Sequence, residues 1–248
     1  MFSVVEADRI LTDAAWELPA DSVSLQESYG RVLREPLFSD RDLPPYDRAT
    51  MDGIAVQSAA FTRGRRRFVV EAEAVAGQPA VTLTDESCCV RIMTGAVLPH
   101  GADAVIRAEE VALLDGVADV AEAVEVMPRQ NVHLTASDGR AGDKVLRSGV
   151  LVGEREAAVI ASVGSSLVSV SRLPRIAILT TGDEVVSIDA AVKPHQIRQS
   201  KRFAAEAILY GARLPACSEH LSDDQALIRD QATKRLVDHD VLITTGAV

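Results

Sequence analysis

The sequence predicts an α/β plus β multidomain protein. It should have an elongated segment of helix and strand, a small β domain inserted into that segment, and an α/β domain built on a parallel sheet. Three observations predict this. Residues 56–124 hold short β-rich runs punctuated by Gly and Pro, with helix signals on either side. After Pro174, apolar strands alternate with helices, the rhythm of a parallel sheet with right-handed crossovers. A chain of 248 residues makes one large domain or two to three small ones. The expected boundaries are 1–55 with 125–173 for the elongated part, 56–124 for the insert, and 174–248 for the α/β domain.

The elements follow in order. Ser3 and Glu6 form a capping-box pattern, and Val4, Ala7, Leu11 and Ala14 continue it at helical spacing. Ser24 and Glu27 repeat the signal and predict a short second helix towards Leu33, closed by Pro36. Pro44 and Pro45 forbid helix and predict a stiff, extended connector. Strands are expected at 68–70, 90–93, 105–107 and 117–124, and a turn-rich strand pair at 142–152. A helix should run from Glu154 to about Val163, stopped by Gly164. The α/β part should hold strands at 176–179, 214–217 and 241–244. Helices should cover 203–210, ended by Gly211, and a stretch capped by Ser222 that runs to about Val237.

Composition excludes several functions. The formal charge is -10, which disfavours binding to phosphate backbones, so no nucleic-acid partner is expected. The cluster Arg63, Arg65, Arg66 and Arg67 reads as a solvated loop. No run approaches the ~18 apolar residues of a membrane span, and the N-terminus lacks a signal-peptide plan. The three cysteines contain no CxxC pair, and the five histidines are scattered. A reducing, cytoplasmic location without a structural zinc site is expected.

Four segments carry polar chemistry. Residues 47–53 place Asp47, Arg48, Thr50 and Asp52 beside Gly53. These hard oxygens suit Mg²⁺, and a polar turn is the competing account. A strand at 91–93 runs into Thr94 and Gly95, where a hydroxyl and an unobstructed backbone N–H could meet an oxyanion; a plain tight turn is the alternative. Thr180, Thr181, Gly182, Asp183 and Glu184 sit at the carboxyl end of the first parallel strand, where open α/β sheets bind ligands, although a helix N-cap would also use them. Thr244, Thr245 and Gly246 fall on the same sheet edge. No Ser-His-Asp or Cys-His arrangement emerges from spacing. The residues alone indicate an acidic, hydroxyl-rich site for an anion bridged by Mg²⁺.

These segments also resemble one family. Asp42 to Gly53, Arg91 to Ala104, Ile176 to Val185 and Gln196 to Arg198 are similar, in order and spacing, to the signatures of the molybdopterin molybdenumtransferases, the gephyrin E-domain group. The resemblance implies an α/β domain of molybdopterin-binding type, here partial. About half of that domain, and a closing barrel usual in the family, are expected to lie outside this chain. It implies insertion of molybdate into adenylylated molybdopterin with release of AMP, with a divalent cation, Mg²⁺, offsetting phosphate charge. It implies a homodimer, and a second chain could complete the shortened domain. By position, Asp52, Thr94 and Asp183 match the family's acidic and hydroxyl residues, with Asp52 and Asp183 as metal ligands. Asp47, Arg48, Gly95, Asp138, Thr180, Thr181, Gly182, Glu184, Ser200 and Gly246 are expected to bind substrate. The chain departs from the family at His133–Asp138, where Ser137 replaces a functional glutamate. It departs again at Gln199 and Lys201, and at Ala247. Loss of a preorganised carboxylate lowers rates by on the order of two to four powers of ten. The alternative is therefore a non-catalytic molybdopterin-binding or assembly relative that keeps the dimer scaffold, or a fragment of a longer enzyme.

Overall fold

The computed structural model describes residues 2–246, so Ala247 and Val248 of the last motif lie outside the described residues. The fold is of the α/β plus β multidomain class the sequence predicts. The chain forms two compact units. One comprises residues 1–35, 147–161 and 165–248, the other 36–146 and 162–164.

The second unit is built on a six-stranded mixed sheet. Its order is Ala104–Arg107, Gly53–Val56, Cys88–Ile92, Arg67–Ala74, Val117–Val120, Val111–Leu114. All neighbours are antiparallel except Arg67–Ala74 with Cys88–Ile92. Alternate side chains go to opposite faces of a strand, and here both faces are covered. Ile54, Val56, Cys89 and Ile106 pack with Phe61 and Phe68 on one side. Ala55, Val90, Ile92 and Val105 pack with Leu83 and Ala96 on the other. The strand Gly53–Val56 is therefore buried at every position and shows no polar alternation. The Phe61 and Phe68 rings stack at 5.3 Å. Asp103 accepts from Ser58 N (2.6 Å) and Ser58 Oγ (2.7 Å), anchoring the short helix Ser58–Thr62. The arginine cluster is mostly exposed and paired: Arg63 with Glu86, Arg67 with Asp119, and Arg66 over the Phe61 ring.

Two small antiparallel pairs position the loops. Arg48–Ala49 pairs with Val132–His133, and Leu37–Phe38 with Lys144–Leu146. The expected strand pair at 142–152 is thus not a hairpin; its first half pairs with a strand 106–109 residues earlier in the chain. The Pro-Pro connector lies alongside 134–139, with Leu43 opposite Gly139 and the Pro44 carbonyl accepting from Ala136 N at 3.0 Å.

In the first unit, the helix Val4–Asp13 carries the expected capping box between Ser3 and Glu6 and buries none of its residues. Ser24 and Glu27 also make their capping bonds, at 2.6 Å between side chains, but only a single 3₁₀ turn, Gln26–Ser28, forms. Ser24 ends a strand, Ala20–Ser24, held antiparallel to Leu167–Ser171, and beyond the turn Val32 and Leu33 bridge to Leu151 and Val170. Sheet pairing on both sides leaves no room for a longer helix. Leu33, Val152, Ile160, Val168 and Val170 form the local core.

The α/β part is a three-stranded parallel sheet with Ile176–Thr181 at its centre, Ala216–Leu221 on one side and Val241–Thr245 on the other. Helices Lys201–Gly211 and Gln225–Asp238 make the crossovers. The cap of the last helix is Asp224, whose Oδ1 accepts from Ala226 N and Leu227 N, rather than Ser222. A carboxylate two residues later meets the first free N–H groups better.

Asp240 ties the amino-terminal ends of two strands together. Its oxygens accept from Arg172 Nη1 and Nη2 (2.8 and 2.9 Å), and from Arg175 N, Nε and Nη2 (2.8, 3.2 and 3.1 Å). The Arg172 bond, then those from Arg175, hold the Asp240 carboxyl far below the ordinary carboxylate range. A depressed folded-state pKa gives stability that is present above the unfolded value of about 3.9 and is lost as pH falls through the folded value. Asp240→Asn should therefore lower the urea midpoint of this unit at pH 7. The gap to the parent should narrow as pH drops below about 4. Urea titrations of both proteins at pH 7 and pH 3 check this; a constant gap would refute the ionic account.

Candidate functional site

Six of the sequence-selected residues gather on three loops of the second unit, 47–52, 93–96 and 133–138. Two aspartates grip threonines in the same way. Asp52 Oδ1 accepts from Thr94 N and Thr94 Oγ1, both at 2.7 Å. Asp47 Oδ1 accepts from Thr135 N and Thr135 Oγ1, both at 2.7 Å. Each aspartate thus fixes the turn that carries its threonine. The Thr94 hydroxyl and amide bonds hold the Asp52 carboxyl below its usual range. Its Oδ2 has no hydrogen bond among the described residues. Gly95, expected to offer a free N–H to an oxyanion, instead donates to Ala49 O at 2.9 Å, with φ +82° closing the turn.

Arg48, His133 and Asp138 form a chain of contacts. Arg48 Nη2 lies 3.2 Å from His133 Nδ1, and His133 Nε2 lies 2.9 Å from Asp138 Oδ1. A guanidinium only donates, so Nδ1 accepts and Nε2 carries the hydrogen given to Asp138. That bond is the main reason the Asp138 carboxyl sits below its ordinary range. Ser137 Oγ donates to the same oxygen at 3.3 Å.

The other selected residues lie in the first unit, at the carboxyl edge of the parallel sheet. From Ile176–Thr181 one crossover goes to Ala216–Leu221, and the next returns past it to Val241–Thr245. The strand order thus reverses about the central strand, and open α/β sheets take ligands at the carboxyl ends of strands near such a reversal. A cleft of about 80 Å³ lies there, lined by Thr180, Thr181, Glu184, Ser200, Thr245 and Gly246 among the expected residues. Arg198, at the end of the short strand Ile197–Arg198, and Lys201 and Arg202, at the start of helix Lys201–Gly211, add positive charge to its wall. Ser200 occupies the N-cap position without a side-chain capping bond. Gly246 closes tightly on the central strand: a Cβ there would lie 2.6 Å from both Thr181 O and Oγ1.

Polar groups behind the cleft are ordered. Gln199 Nε2 donates to Thr180 Oγ1 at 2.7 Å, and Thr180 is 97% inaccessible. Thr180 Oγ1 in turn meets His220 Nδ1 at 2.9 Å, and His220 Nε2 donates to Gly182 O at 3.1 Å. By contrast, Thr181 Oγ1 is buried and has no hydrogen-bond partner among the described residues. Asp183 and Asp223 are coupled reciprocally. Asp183 N donates to Asp223 Oδ2 (3.3 Å), and Asp223 N donates to Asp183 Oδ1 (3.2 Å).

Asp223, His220 and Arg202 did not emerge from the sequence, Arg198 entered only as the end of a family signature, and Lys201 only as a departure from it. The available signal was Asp223's position after the second strand, on the same edge as Asp183. No group of three or more His, Cys, Asp or Glu poised for a metal occurs among the described residues. One or two carboxylates suit Mg²⁺, which keeps waters and takes substrate phosphate oxygens as further ligands.

Comparison with known proteins gives a consistent picture. Residues 2–164 match the family described as the MoeA N-terminal region, domains I and II. A curated molybdopterin molybdenumtransferase from Synechocystis sp. is 37% identical over 250 residues, covering 100% of this chain and 64% of the relative. One from Staphylococcus epidermidis is 29% identical, covering 99% of this chain and 59% of the relative. The crystal structure of a molybdopterin biosynthesis MoeA protein from Pyrococcus horikoshii superimposes with a TM-score of 0.86 at 27% identity, covering 98% of this chain and 66% of that one. The chain thus spans about three-fifths of the length of the curated relatives it matches. Among the described residues no helix is long and apolar enough to cross a membrane.

Proposed function

This chain belongs to the MoeA family, whose N-terminal region it matches over residues 2–164, and from that premise we propose that it works in molybdenum cofactor biosynthesis as a molybdopterin molybdenumtransferase. Its substrates are adenylylated molybdopterin and molybdate, and its by-product is AMP. It works in the cytoplasm as a homodimer, and a further chain or segment completes the α/β domain. The three-part division at 1–55 with 125–173, 56–124 and 174–248 belongs to the same reading.

The observation that carries this reading is the Thr181 hydroxyl, without a hydrogen-bond partner among the described residues, in a cleft with three basic side chains. A buried hydroxyl without a partner is destabilising in the free protein and is relieved by a ligand oxygen. Basic side chains beside a helix start favour a phosphate-bearing ligand. Thr180, Thr181, Gly182, Glu184, Ser200 and Gly246 shape this pocket for the pterin's phosphorylated arm. Asp183 would hold Mg²⁺ through a carboxylate oxygen. In the other unit, Asp52 Oδ2 and the Thr94 hydroxyl oxygen, whose hydrogen is given to Asp52 Oδ1, are both available to a cation. Asp47, Arg48, Gly95 and Asp138 hold that loop set in shape. When bound, Mg²⁺ would offset phosphate charge and polarise the phosphoanhydride.

Thr181→Val tests the pocket. Removing an unsatisfied hydroxyl isosterically should leave stability unchanged or slightly raised. It should weaken molybdopterin binding about tenfold, the loss of one hydrogen bond to a charged ligand. Fluorescence titration with molybdopterin and a thermal melt give the two readouts. Unchanged affinity would remove the cleft from the proposal.

A further inference from the structure

Outside the proposed site, one nucleophile has a base aligned on it. Cys217 lies near the amino end of the edge strand Ala216–Leu221, whereas the cleft lies at the carboxyl ends of the strands. Its Sγ is 3.2 Å from His239 Nε2. His239 Nδ1 is 3.0 Å from the Arg235 carbonyl. A carbonyl only accepts, so Nδ1 carries the ring hydrogen and the lone pair of Nε2 faces the sulfur. Arg235 Nη1 lies 3.8 Å from the same sulfur, while its Nη2 is held by Glu219 Oε2 at 2.7 Å. A thiol with a base on one side, a fixed positive charge on another and access to solvent is the arrangement that makes cysteine reactive.

The other two cysteines lack it. Cys89 is buried, and burial, then Cys88 and Glu71, push its thiol up to about 12. Cys88 is half-buried and is also pushed up, first by burial and then by Glu71.

We propose that Cys217, with His239 as base and Arg235 as charge partner, is a thiol-modification site that takes low-molecular-weight disulfides. In the exchange, Sγ passes its proton to His239 Nε2 and bonds to one sulfur of the disulfide. The disulfide S–S bond breaks, and the departing thiolate takes the proton back from the imidazolium. The products are a mixed disulfide on Cys217 and one free thiol, and the incoming disulfide is the only oxidant needed.

The test follows thiol release when the intact chain is mixed with the aromatic disulfide DTNB. A parallel reaction with oxidised glutathione is mapped by mass spectrometry. One fast phase is expected, absent in Cys217→Ser, with the glutathione adduct on residue 217. His239→Gln keeps a donor for the Arg235 carbonyl but removes the base, and it should slow the phase about tenfold. Arg235→Gln should slow it by a smaller factor, with circular dichroism confirming that both variants remain folded. A fast phase that survives Cys217→Ser, or a rate that both His239→Gln and Arg235→Gln leave unchanged, would overturn the proposal.

Discussion

Gly53→Ala should destabilise the six-stranded sheet by about 3 kcal/mol or more, the upper end of overpacking costs, because backbone rather than a side chain must yield. A Cβ at this position would lie 1.7 Å from Ile106 O and 2.8 Å from Ile106 C. Gly53 pairs with Arg107 and Ile92 in the interior of the sheet, so neither neighbour can move without breaking a ladder. The glycine that closes the Asp52–Gly53 motif is thus explained by strand packing, not by contact with a ligand. Gly64→Ala is the control: a Cβ there meets nothing within 4 Å, but φ is +86°. It should cost about 1 kcal/mol, the penalty of a left-handed residue. Amide exchange of Ile54, Ala55, Val105 and Ile106 reads the sheet directly. Loss of protection no greater in Gly53→Ala than in Gly64→Ala would contradict the packing account.

The second large effect is on rate. Asp52→Asn should lower AMP release by on the order of 10²–10³ while leaving the fold intact, the loss seen when one preorganised electrostatic contact is removed. The asparagine oxygen can still accept from Thr94 N and Oγ1, so the turn at 93–96 should keep its shape. What disappears is the negative charge facing solvent. An unchanged melting temperature with a large loss in rate separates charge from positioning. Equal rates in the parent and Asp52→Asn would restrict Asp52 to holding Thr94.

The parallel sheet was legible because Ile176–Leu179 is a short apolar run and two helix signals, the first stopped by Gly211, follow it. The carboxyl-edge location of Thr180–Glu184 followed from that alone. Gly53–Val56 was not legible as a strand. It is four residues long, buried on both faces, and follows directly on a polar motif that reads as a loop. The pair Ala20–Ser24 with Leu167–Ser171 was also missed. Its serines carry little strand signal, and its register joins residues some 140–150 positions apart, a closure that no local pattern encodes. The same pairing explains why the Ser24–Glu27 capping bonds yield one turn instead of a helix. Within the candidate site, residue types alone singled out the loops. The Asp183–Asp223 and Gln199–Thr180–His220 partnerships depend on the lateral order of strands and on a crossover helix.

The account's central claim is that the acidic, hydroxyl-rich strand ends of this chain serve molybdenum insertion, and AMP release tests it most directly. The intact chain, joined by the chain or segment that completes its α/β domain, is given adenylylated molybdopterin, molybdate and Mg²⁺, and nucleotide product is followed for the parent and for Asp183→Ala. The account predicts molybdate- and Mg²⁺-dependent release of AMP in the parent and its near-complete loss in Asp183→Ala. AMP release that Asp183→Ala leaves unchanged, or molybdopterin binding without any release by the parent, would contradict it.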